Sequence, residues 1–367
     1  MLHIHPSARI KVSPFHEATL AEGLQAVSVY NGMMLPTSYG DPEAEYWRLI
    51  EGVAQWDVAA ERQVQIKGPD AARLAQMLTV RDLSNCRVGQ GKYAPICDHR
   101  GTILNDPVCL KLADDLFWFS IADSDMWLWA RAVAAQSGLD VEVSEPDVSP
   151  MAIQGPRAED VVASVCGDWV RELKYFWFQE SEIATIPVAV QRSGWSKQGG
   201  FEIYLRDGTR GTQLWNLFKE AGQPFGIGPG TPATAERVES GLVSVGGDTD
   251  GATSPLEIRL GRFVDLDVPD DTIGVTALRD IHAAGAPRHQ LGVVMDGAEA
   301  VPFGHEWEPI SVDGRKVGDL TTAAWSPRLK ANIGYALVSR DVRSGASVTV
   351  QRAQGTFSGT LRELPFL

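Results

Sequence analysis

Two stretches of this 367-residue chain repeat one pattern, and the repeat constrains the fold more than any other feature. VQIKGPDAARLAQML (64–78) and MAIQGPRAEDVVASV (151–165) each predict a strand, a Gly-Pro turn and an amphipathic helix. Gly68-Pro69 and Gly155-Pro156 fall at matching points, and proline is favoured where a helix begins. The repeat favours two related α+β units, although strand–Gly-Pro–helix is also a common local arrangement that can recur by chance.

The kind of secondary structure that the sequence predicts changes near residue 285. Before it, strand patterns such as LFWFSIA alternate with helical patterns such as SDMWLWARAVAAQSG, for which Ser124 is the expected N-cap and Gly138 the expected end. After it, stretches such as HQLGVVMDG, NIGYALVS and SVTVQRAQGTFSGTLREL predict short strands broken by Gly and Asp turns. We therefore expect an α+β protein whose last part is a separate small β-barrel.

The length and the charge of the chain limit what it can bind. A chain of 367 residues is too long for one hydrophobic core and is expected to form two or three domains. The formal net charge of −14 argues against a nucleic-acid partner, because phosphates would be repelled. An anionic small molecule is compatible with this charge, since it needs only a local basic pocket.

The sequence gives no sign of membrane insertion or secretion. No segment is apolar for long enough to cross a bilayer, and MLHIHPSARIKVSPF lacks the continuous apolar core of a signal peptide. The cysteines show no CxxC spacing, so reduced thiols are expected: Cys86, Cys97, Cys109 and Cys166. We therefore expect a cytoplasmic protein without a membrane partner.

Several common kinds of site do not occur in the sequence. The seven histidines are scattered and CDHRG (97–101) reads as a turn, so no metal site is expected. SVGGDTDGATSP fits neither GxGxxG nor GK[ST], and there is no GxSxG. The remaining candidates are carboxylates, aromatic residues and arginines in YAPICDHRGTILNDP, ERVESG and RSGWSKQGGFEIY.

The last of these stretches, RSGWSKQGGFEIY (192–204), predicts two strands around a glycine-containing loop. In the second strand the apolar residues share one side: Phe201, Ile203 and Leu205. The polar residues share the other: Glu202, Tyr204 and Arg206. The pattern fits a ligand site, and it fits equally an ordinary hairpin whose polar side meets water.

Spaced motifs along nearly the whole chain carry a resemblance to a known family. In order they are YNGMMLPTSYG, WDVAAERQVQIKGPDA, RGTILNDPV, MAIQGPRA, SGWSKQGGFEIY and ERVESGLVSVGGD…SPLE. Together they resemble the tetrahydrofolate-dependent aminomethyltransferases, the T proteins of the glycine cleavage system. The resemblance implies two related α+β units and a C-terminal β-barrel around a central folate channel. It implies a discontinuous folate-binding domain (1–46 and 139–280), a second α+β domain (47–138) and a barrel domain (281–367).

Two details point to one branch of the family. Where the glycine-cleavage enzymes carry two adjacent acids, this chain has Asn105-Asp106, and in place of a motif resembling GYTGExGYE it has GWSKQGGFEIY. These features resemble the dimethylsulfoniopropionate demethylases. The implied function is methyl transfer from dimethylsulfoniopropionate to tetrahydrofolate, giving 3-(methylthio)propionate and 5-methyltetrahydrofolate, by a monomer or homodimer. The alternatives are an aminomethyltransferase, a demethylase of another N-, O- or S-methyl compound, and a non-catalytic folate-binding protein.

The chemistry of a sulfonium donor is compatible with an amide at position 105. Aminomethyl transfer must expel ammonia, and a positioned carboxylic acid assists that step. A sulfonium methyl group instead leaves behind a neutral thioether, which needs no proton. In-line positioning of the folate N5 can then contribute roughly 7–11 kcal/mol. Asn105 is allowed by this chemistry but does not prove it.

The resemblance also implies roles for individual residues. The pteridine ring is expected to be bound by Glu202, with the remaining folate contacts from Tyr93, Asp106, Trp177 and Arg237. Because a sulfonium cation has no donor group, aromatic faces worth about 0.5–2 kcal/mol each should recognise it. The expected substrate-binding residues are Trp195, Tyr204, Tyr30, Met33, Lys197 and Arg192. The expected catalytic residues are Asp106, Asn105 and Tyr204.

Each of these roles has a structural alternative. Trp195 would otherwise be a hydrophobic plug, and Arg237 would form a salt bridge with Glu239 or Glu202. Tyr30 and Met33, which match the family's channel-closing loop, would otherwise be core residues, as would Trp177. Lys197 and Arg192 would be surface charges, and Asp106 would be a turn or cap residue.

Overall fold

The computed structural model describes residues 7–297, 299–304 and 306–367. The chain forms two compact units. The N-terminal unit comprises Met1–Ala75, Leu83–Lys92 and Pro107–Pro232, and the C-terminal unit comprises Gln76–Asp82, Tyr93–Asp106 and Ala233–Leu367. The finer division into 1–46 with 139–280, 47–138 and 281–367 stays a prediction.

The helices and strands follow one another in mixed order. The helices are α1 (His16–Ala21), α2 (Pro42–Glu51), α3 (Ala71–Leu78), α4 (Met126–Ser137), α5 (Ala158–Cys166), α6 (Gly211–Gly222), α7 (Thr234–Ser240) and α8 (Val275–Ala284). The strands up to position 154 are β1 (Ala26–Tyr30), β2 (Met33–Ser38), β3 (Ala54–Asp57), β4 (Gln63–Lys67), β5 (Gln90–Tyr93), β6 (Ile96–Cys97), β7 (Ile103–Asn105), β8 (Val108–Ala113), β9 (Leu116–Ser120), β10 (Glu142–Ser144) and β11 (Ser149–Gln154). The later strands are β12 (Phe178–Ile183), β13 (Ile186–Gln191), β14 (Gly200–Leu205), β15 (Gly228–Pro229), β16 (Arg288–Met295), β17 (Glu308–Val312), β18 (Arg315–Ser326), β19 (Ala331–Ser339), β20 (Ser347–Arg352) and β21 (Gly355–Arg362).

A six-stranded sheet forms the centre of the N-terminal unit, with strand order β12-β13-β14-β11-β3-β15. Strand β14 pairs antiparallel with β13 and β11, so the predicted hairpin around residues 192–199 is confirmed. Phe201, Ile203 and Leu205 on one face of β14 pack in a core with Val161 of α5 and Trp215 of α6. Burying side chains of this size stabilises the unit by about 1.5–3 kcal/mol each. The opposite face is thereby left to Glu202 and Tyr204.

The sequence repeat corresponds to the same local structure in both places. Strands β4 and β11 each run into a glycine turn and then into a helix, α3 or α5. Gly68 and Gly155 have φ angles of +139° and +121°, and a Cβ on either would lie 2.5 Å from a backbone carbonyl oxygen. Only glycine fits such a close approach. The predicted strand, turn and helix are confirmed in both copies.

The start of α4 differs from the prediction. The residue before the helix is Asp125, which makes no side-chain capping bond, and the backbone N–H of Ser124 instead donates to Oδ1 of Asn31 at 3.0 Å. Ser124 is therefore held by a distant turn rather than acting as the N-cap. The predicted end is confirmed, because Gly138 follows the helix with φ +68°.

The last strands close into a six-stranded barrel in the C-terminal unit, in the order β16-β19-β18-β17-β20-β21. Its interior is filled by aliphatic residues from alternating positions, such as Leu291, Val293, Leu320, Val338 and Val350. The predicted α+β fold with a C-terminal β-barrel is confirmed. Within residues 7–297, 299–304 and 306–367, no helix combines the length and the apolar character needed to span a membrane.

Candidate active site

Glu202 lies in the middle of the polar face of the six-stranded sheet. In β14 it is directly opposite Gln191 of β13 on one side and Ala152 of β11 on the other. Gln154, two residues along β11, shares this face because side chains on a strand alternate. The sheet register therefore gathers polar residues that are far apart in sequence.

The carboxylate of Glu202 is held at one of its two oxygens. Its Oε2 accepts hydrogen bonds from the hydroxyls of Ser193 at 2.5 Å and Tyr204 at 3.0 Å. The same hydroxyls lie 3.0 and 3.1 Å from Oε1 of Gln191, so two hydroxyl protons are shared between two acceptors. In the described part of the chain no group bonds Oε1 of Glu202. That oxygen is available to a ligand donor.

Burial controls the charge of this group. Glu202 is only 6% exposed, and loss of hydration raises its pKa, while the hydrogen bonds from Ser193 and Tyr204 lower it. Burial and the neighbouring carboxyl of Glu202 raise the pKa of Tyr204 well above its ordinary value, so Tyr204 remains a neutral hydrogen-bond donor. Two neutral hydroxyls thus donate to one oxygen of the buried carboxyl, and the other oxygen can accept a hydrogen bond from a ligand N–H group.

The environment of Tyr204 differs from the one expected for a substrate-binding ring. Its side chain is fully buried, and the ring packs in an apolar cluster with Leu110, Trp118, Val148 and Phe178. Its hydroxyl donates to Glu202, whereas its ring faces the apolar cluster. A role for Tyr204 in catalysis or substrate binding stays a prediction.

The loop 192–199 carries three predicted substrate-binding residues. Trp195 is partly buried and Lys197 is exposed. Arg192 forms an ion pair with Glu159, and its guanidinium also donates to the carbonyl oxygen of Leu173 at 3.0 Å. Arg192 therefore holds the loop to α5, and its role in substrate binding stays a prediction.

Tyr30 and Met33 flank a tight hairpin turn. They are paired across the ends of β1 and β2, with Asn31 and Gly32 between them at φ +50° and +68°. This is the geometry that an Asn-Gly hairpin turn requires. Met33 is buried in the core of the N-terminal unit, while Tyr30 is partly buried beside it. A role for Met33 in substrate binding stays a prediction.

The amide of Asn31 fixes this turn. Its Nδ2 donates to the carbonyl oxygens of Ala60 at 2.9 Å and Ala122 at 3.1 Å, and its Oδ1 accepts from Ser124.

The predicted folate residue Trp177 lies elsewhere in the unit, partly buried next to the start of β12. Its carbonyl oxygen accepts a hydrogen bond from the backbone N–H of Arg192 at 3.0 Å.

A second group of predicted residues lies in the C-terminal unit. The hydroxyl of Tyr93 donates to Oδ2 of Asp106 at 2.5 Å, and the Tyr93 ring packs against Phe263 with centroids 4.6 Å apart. Loss of hydration, with a smaller effect from the charge of Asp248, raises the pKa of Asp106 from its ordinary 3.8 to about 7. The hydrogen bond from Tyr93 acts in the opposite direction. Asp106 is therefore a carboxyl that can exchange a proton near neutral pH.

Asn105 precedes this carboxyl and is fully buried at the end of β7, paired with Ile96. Its neighbour Asp106 is partly buried. The two adjacent residues thus differ in environment as well as in charge.

Arg237 pairs with Asp248 in the same unit. Its Nη1 donates to Oδ2 of Asp248 at 2.8 Å, and both side chains are buried, at 7% and 0% exposure. Asp248 also accepts from the hydroxyl of Thr321 at 3.0 Å and from Ser244 N–H at 2.9 Å. Glu239, the partner first expected for Arg237, forms an ion pair with Arg328. Arg237 therefore keeps in place the negative charge that acts on Asp106.

Sequence reasoning missed Gln191, Ser193 and Asp248. Asp248 lies inside the quoted motif ERVESGLVSVGGD, but no spacing rule relates it to Arg237. The antiparallel register of β13 and β14 places Gln191 opposite Glu202, and the length of the connection between the two strands does not by itself give that register. Among the described residues, no group of three or more His, Cys, Asp or Glu side chains is arranged to hold a metal ion.

Comparison with known protein families decides the family. The domain described as "GCVT N-terminal domain" matches residues 15–268, and the "Glycine cleavage T-protein C-terminal barrel domain" matches residues 288–367. The chain belongs to the glycine cleavage T-protein family. The family resemblance predicted from its motifs is confirmed.

Relatives within the T-protein family differ in how similar they are to this chain. Dimethylsulfoniopropionate demethylase DmdA of Ruegeria pomeroyi is 41% identical over 364 residues, covering 99% of each chain. The aminomethyltransferase of Herpetosiphon aurantiacus is 28% identical, covering 97% of this chain and 98% of that protein. The crystal structure of the glycine cleavage system aminomethyltransferase T from Bartonella henselae matches with a TM-score of 0.85 at 20% identity, over 97% of this chain and 98% of that one. This structural likeness supports the T-protein fold.

Proposed function

We propose that this T-protein family member is a tetrahydrofolate-dependent dimethylsulfoniopropionate demethylase. It transfers one methyl group to tetrahydrofolate and releases 3-(methylthio)propionate and 5-methyltetrahydrofolate. The observation that carries this function is the 41% identity, over 99% of both chains, to a protein named dimethylsulfoniopropionate demethylase. The aminomethyltransferases are less similar, for example at 29% and 26%.

Glu202 supports a folate as the methyl acceptor. A pteridine ring presents an amino group and ring N–H groups, and Glu202 has an oxygen with no hydrogen bond to the described residues. Hydrogen bonds to an ionised carboxylate are about twice as strong as neutral ones. We assign Glu202 as the pteridine acceptor, with Ser193 and Tyr204 fixing its carboxylate.

The transfer is a displacement at carbon. The lone pair of folate N5 forms a bond to the methyl carbon while the C–S bond breaks, and the electron pair of that bond stays on sulfur in a neutral thioether. N5 then loses a proton. Asp106, whose pKa is raised to about 7, is assigned as the acceptor of this proton. Asn105 cannot ionise and contributes only hydrogen bonds.

The remaining residues recognise the substrate or support the site. Trp195 and Tyr30 are assigned to the sulfonium group, because both are aromatic and partly exposed. Lys197, which is exposed on the loop 192–199, is assigned to the substrate carboxylate. Trp177 is assigned to the folate, and Tyr93 and Arg237 act through Asp106 and Asp248.

The cellular setting proposed for this enzyme is the cytoplasm, where it acts on small molecules as a monomer or homodimer. All four cysteines are free thiols, as expected in a reducing compartment.

Incubation with tetrahydrofolate and a panel of methyl donors tests the proposal. The folate product is identified by mass spectrometry, and the donors are dimethylsulfoniopropionate, an N-methyl and an O-methyl compound, and an aminomethyl adduct on a lipoyl carrier. We expect 5-methyltetrahydrofolate from dimethylsulfoniopropionate alone.

Other outcomes identify the rival functions. Methylenetetrahydrofolate from the lipoyl adduct would indicate an aminomethyltransferase, the function named for the relatives at 26–29% identity. Folate binding without any product would indicate a non-catalytic folate-binding protein. Either result would contradict the demethylase proposal.

A further inference from the structure

One buried amide shapes the loop next to Glu202. Nε2 of Gln154 donates to the carbonyl oxygen of Ser193 at 3.0 Å, and Oε1 of Gln154 accepts from the hydroxyl of Ser196 at 2.8 Å. Gln154 is fully buried at the end of β11. Both ends of a single side chain are therefore used to hold residues 192–199.

Two glycines show how closely the backbone of this loop follows the amide. A Cβ at Gly194 would lie 2.0 Å from Nε2 of Gln154, and a Cβ at Gly200 would lie 2.3 Å from the same atom. Both residues have positive φ, +147° and +158°. The loop can pack onto Gln154 only because neither position has a side chain.

The first copy of the sequence repeat shows that the scaffold does not need this amide. Lys67 ends β4 as Gln154 ends β11, and each is followed by a glycine whose Cβ would meet a carbonyl oxygen at 2.5 Å. Lys67 is exposed. The strand, turn and helix thus form with a solvated side chain at this position. The buried amide of the second copy serves the loop.

We infer that Gln154 is a positioning residue for the carboxylate of Glu202. Gln154 holds the backbone of Ser193, and the Ser193 hydroxyl donates to Glu202 at 2.5 Å. The same loop carries Trp195, so one amide orders residues assigned to both folate and substrate. This inference rests on the proposed role of Glu202 in folate binding and extends that role. We do not propose that Gln154 itself contacts a ligand.

Gln154→Met tests the inference, because methionine keeps the length of the side chain and removes its hydrogen bonds to Ser193 and Ser196, together with a longer one to the carbonyl oxygen of Phe201 at 3.5 Å. The matched control is Gln55→Met, which removes another buried amide of the same sheet, bonded through Nε2 to the carbonyl oxygen of Trp215 at 3.0 Å. Gln154→Met should raise the Kd for tetrahydrofolate, and the KM for folate, by about tenfold, with kcat at saturating folate changed less than about threefold. Gln55→Met should lower the Tm and leave that Kd unchanged. Equal Kd values in the two variants would overturn the inference.

A second measurement keeps the inference testable without folate. Amide hydrogen exchange of residues 193–200 should become faster in Gln154→Met and not in Gln55→Met. Faster exchange together with no folate binding by the unsubstituted protein would support positioning by Gln154 and contradict the proposed function. Unchanged exchange would overturn the inference.

A milder variant covers the case in which Gln154→Met does not fold. Ser196→Ala removes the hydrogen bond to Oε1 of Gln154 and leaves those from Nε2, and it should raise the Kd for tetrahydrofolate about two- to fivefold. No change in Kd would count against positioning by Gln154.

Discussion

The Tyr93 hydroxyl lies 2.5 Å from Oδ2 of Asp106, and its hydrogen bond opposes the effect of burial on that carboxyl. Burial dominates, and the pKa of Asp106 is raised to about 7. A carboxyl with its ordinary pKa would be ionised at every physiological pH. Asp106 instead changes its charge within that range, which makes its role accessible to experiment.

The rate of methyl transfer should rise with pH and level off above about pH 7, because Asp106 accepts the N5 proton only when it is ionised. Tyr93→Phe should move the midpoint to higher pH, since it removes a bond that lowers the pKa. Initial rates at saturating substrates from about pH 5.5 to about pH 9 measure the midpoint. Tyr39→Phe is the control, because the Tyr39 hydroxyl makes no hydrogen bond to the described residues. A midpoint that does not move in Tyr93→Phe would assign the pH dependence to another group.

The raised pKa of Asp106 also has a consequence for stability. The folded-state pKa of about 7 lies above the ordinary 3.8, so the folded protein binds more protons between these values. The free energy of unfolding should therefore fall as pH rises from about 4 to 7. Asp106→Asn removes this dependence and should gain about 1–4 kcal/mol relative to the unsubstituted protein between those pH values. Urea denaturation at both ends of the window measures the gain, and an equal difference at both would contradict it.

Restoring an acid at position 105 should not improve sulfonium demethylation. Asn105 is fully buried, so Asn105→Asp places a carboxyl in a buried position next to Asp106. Asn105→Ala should cost about 1–3 kcal/mol of transition-state stabilisation through lost hydrogen bonds. Steady-state rates on dimethylsulfoniopropionate check both variants, with the lipoyl aminomethyl adduct as a second substrate. A rate in Asn105→Asp well above that of the unsubstituted enzyme would show that the reaction needs an acid there.

Glu202→Gln should weaken tetrahydrofolate binding by about 1–3 kcal/mol, because a charged acceptor is lost from a buried hydrogen-bonded group. Isothermal titration calorimetry gives the Kd. Glu45→Gln is a matched control in the same unit, since Glu45 is a buried carboxylate that accepts from Tyr39 N–H at 2.8 Å. An unchanged Kd in Glu202→Gln would remove Glu202 from the pteridine site.

Arg237→Met should destabilise the protein by about 3–5 kcal/mol, because it leaves Asp248 buried without its counter-ion. The double variant with Asp248→Asn should recover part of this loss, since the uncompensated charge is then absent. Urea denaturation of the single and double variants measures the coupling. Additive effects of the two substitutions would show that the ion pair contributes little.

The sequence by itself determined the secondary structure around the site. Alternation in GFEIYLR predicted that Phe201, Ile203 and Leu205 share one face and Glu202 the other, and the structure buries the first face in the core. The Gly-Pro repeat predicted the same turn twice, because only glycine fits where β4 and β11 end. The change near residue 285 from mixed helices and strands to short strands alone predicted the barrel. These features follow from local backbone preferences and side-chain periodicity, which a sequence contains directly.

Only the tertiary structure decided which atoms meet. Periodicity placed Tyr204 beside Glu202, but the enclosure of its ring depends on Leu110 and Trp118 from another sheet. Arg237 forms its ion pair with Asp248, eleven positions along the chain, whereas Glu239 pairs with Arg328. The path of helix α7 and of the loop after it determines which of these side chains meet. Gln154 at the end of β11 donates a hydrogen bond to the carbonyl oxygen of Ser193, which follows β13, although β14 lies between these two strands in the sheet. Such contacts depend on sheet register and on the path of loops. A hydrogen bond forms only when its donor and acceptor lie within a few tenths of an ångström of the ideal distance, and no sequence pattern specifies positions that closely.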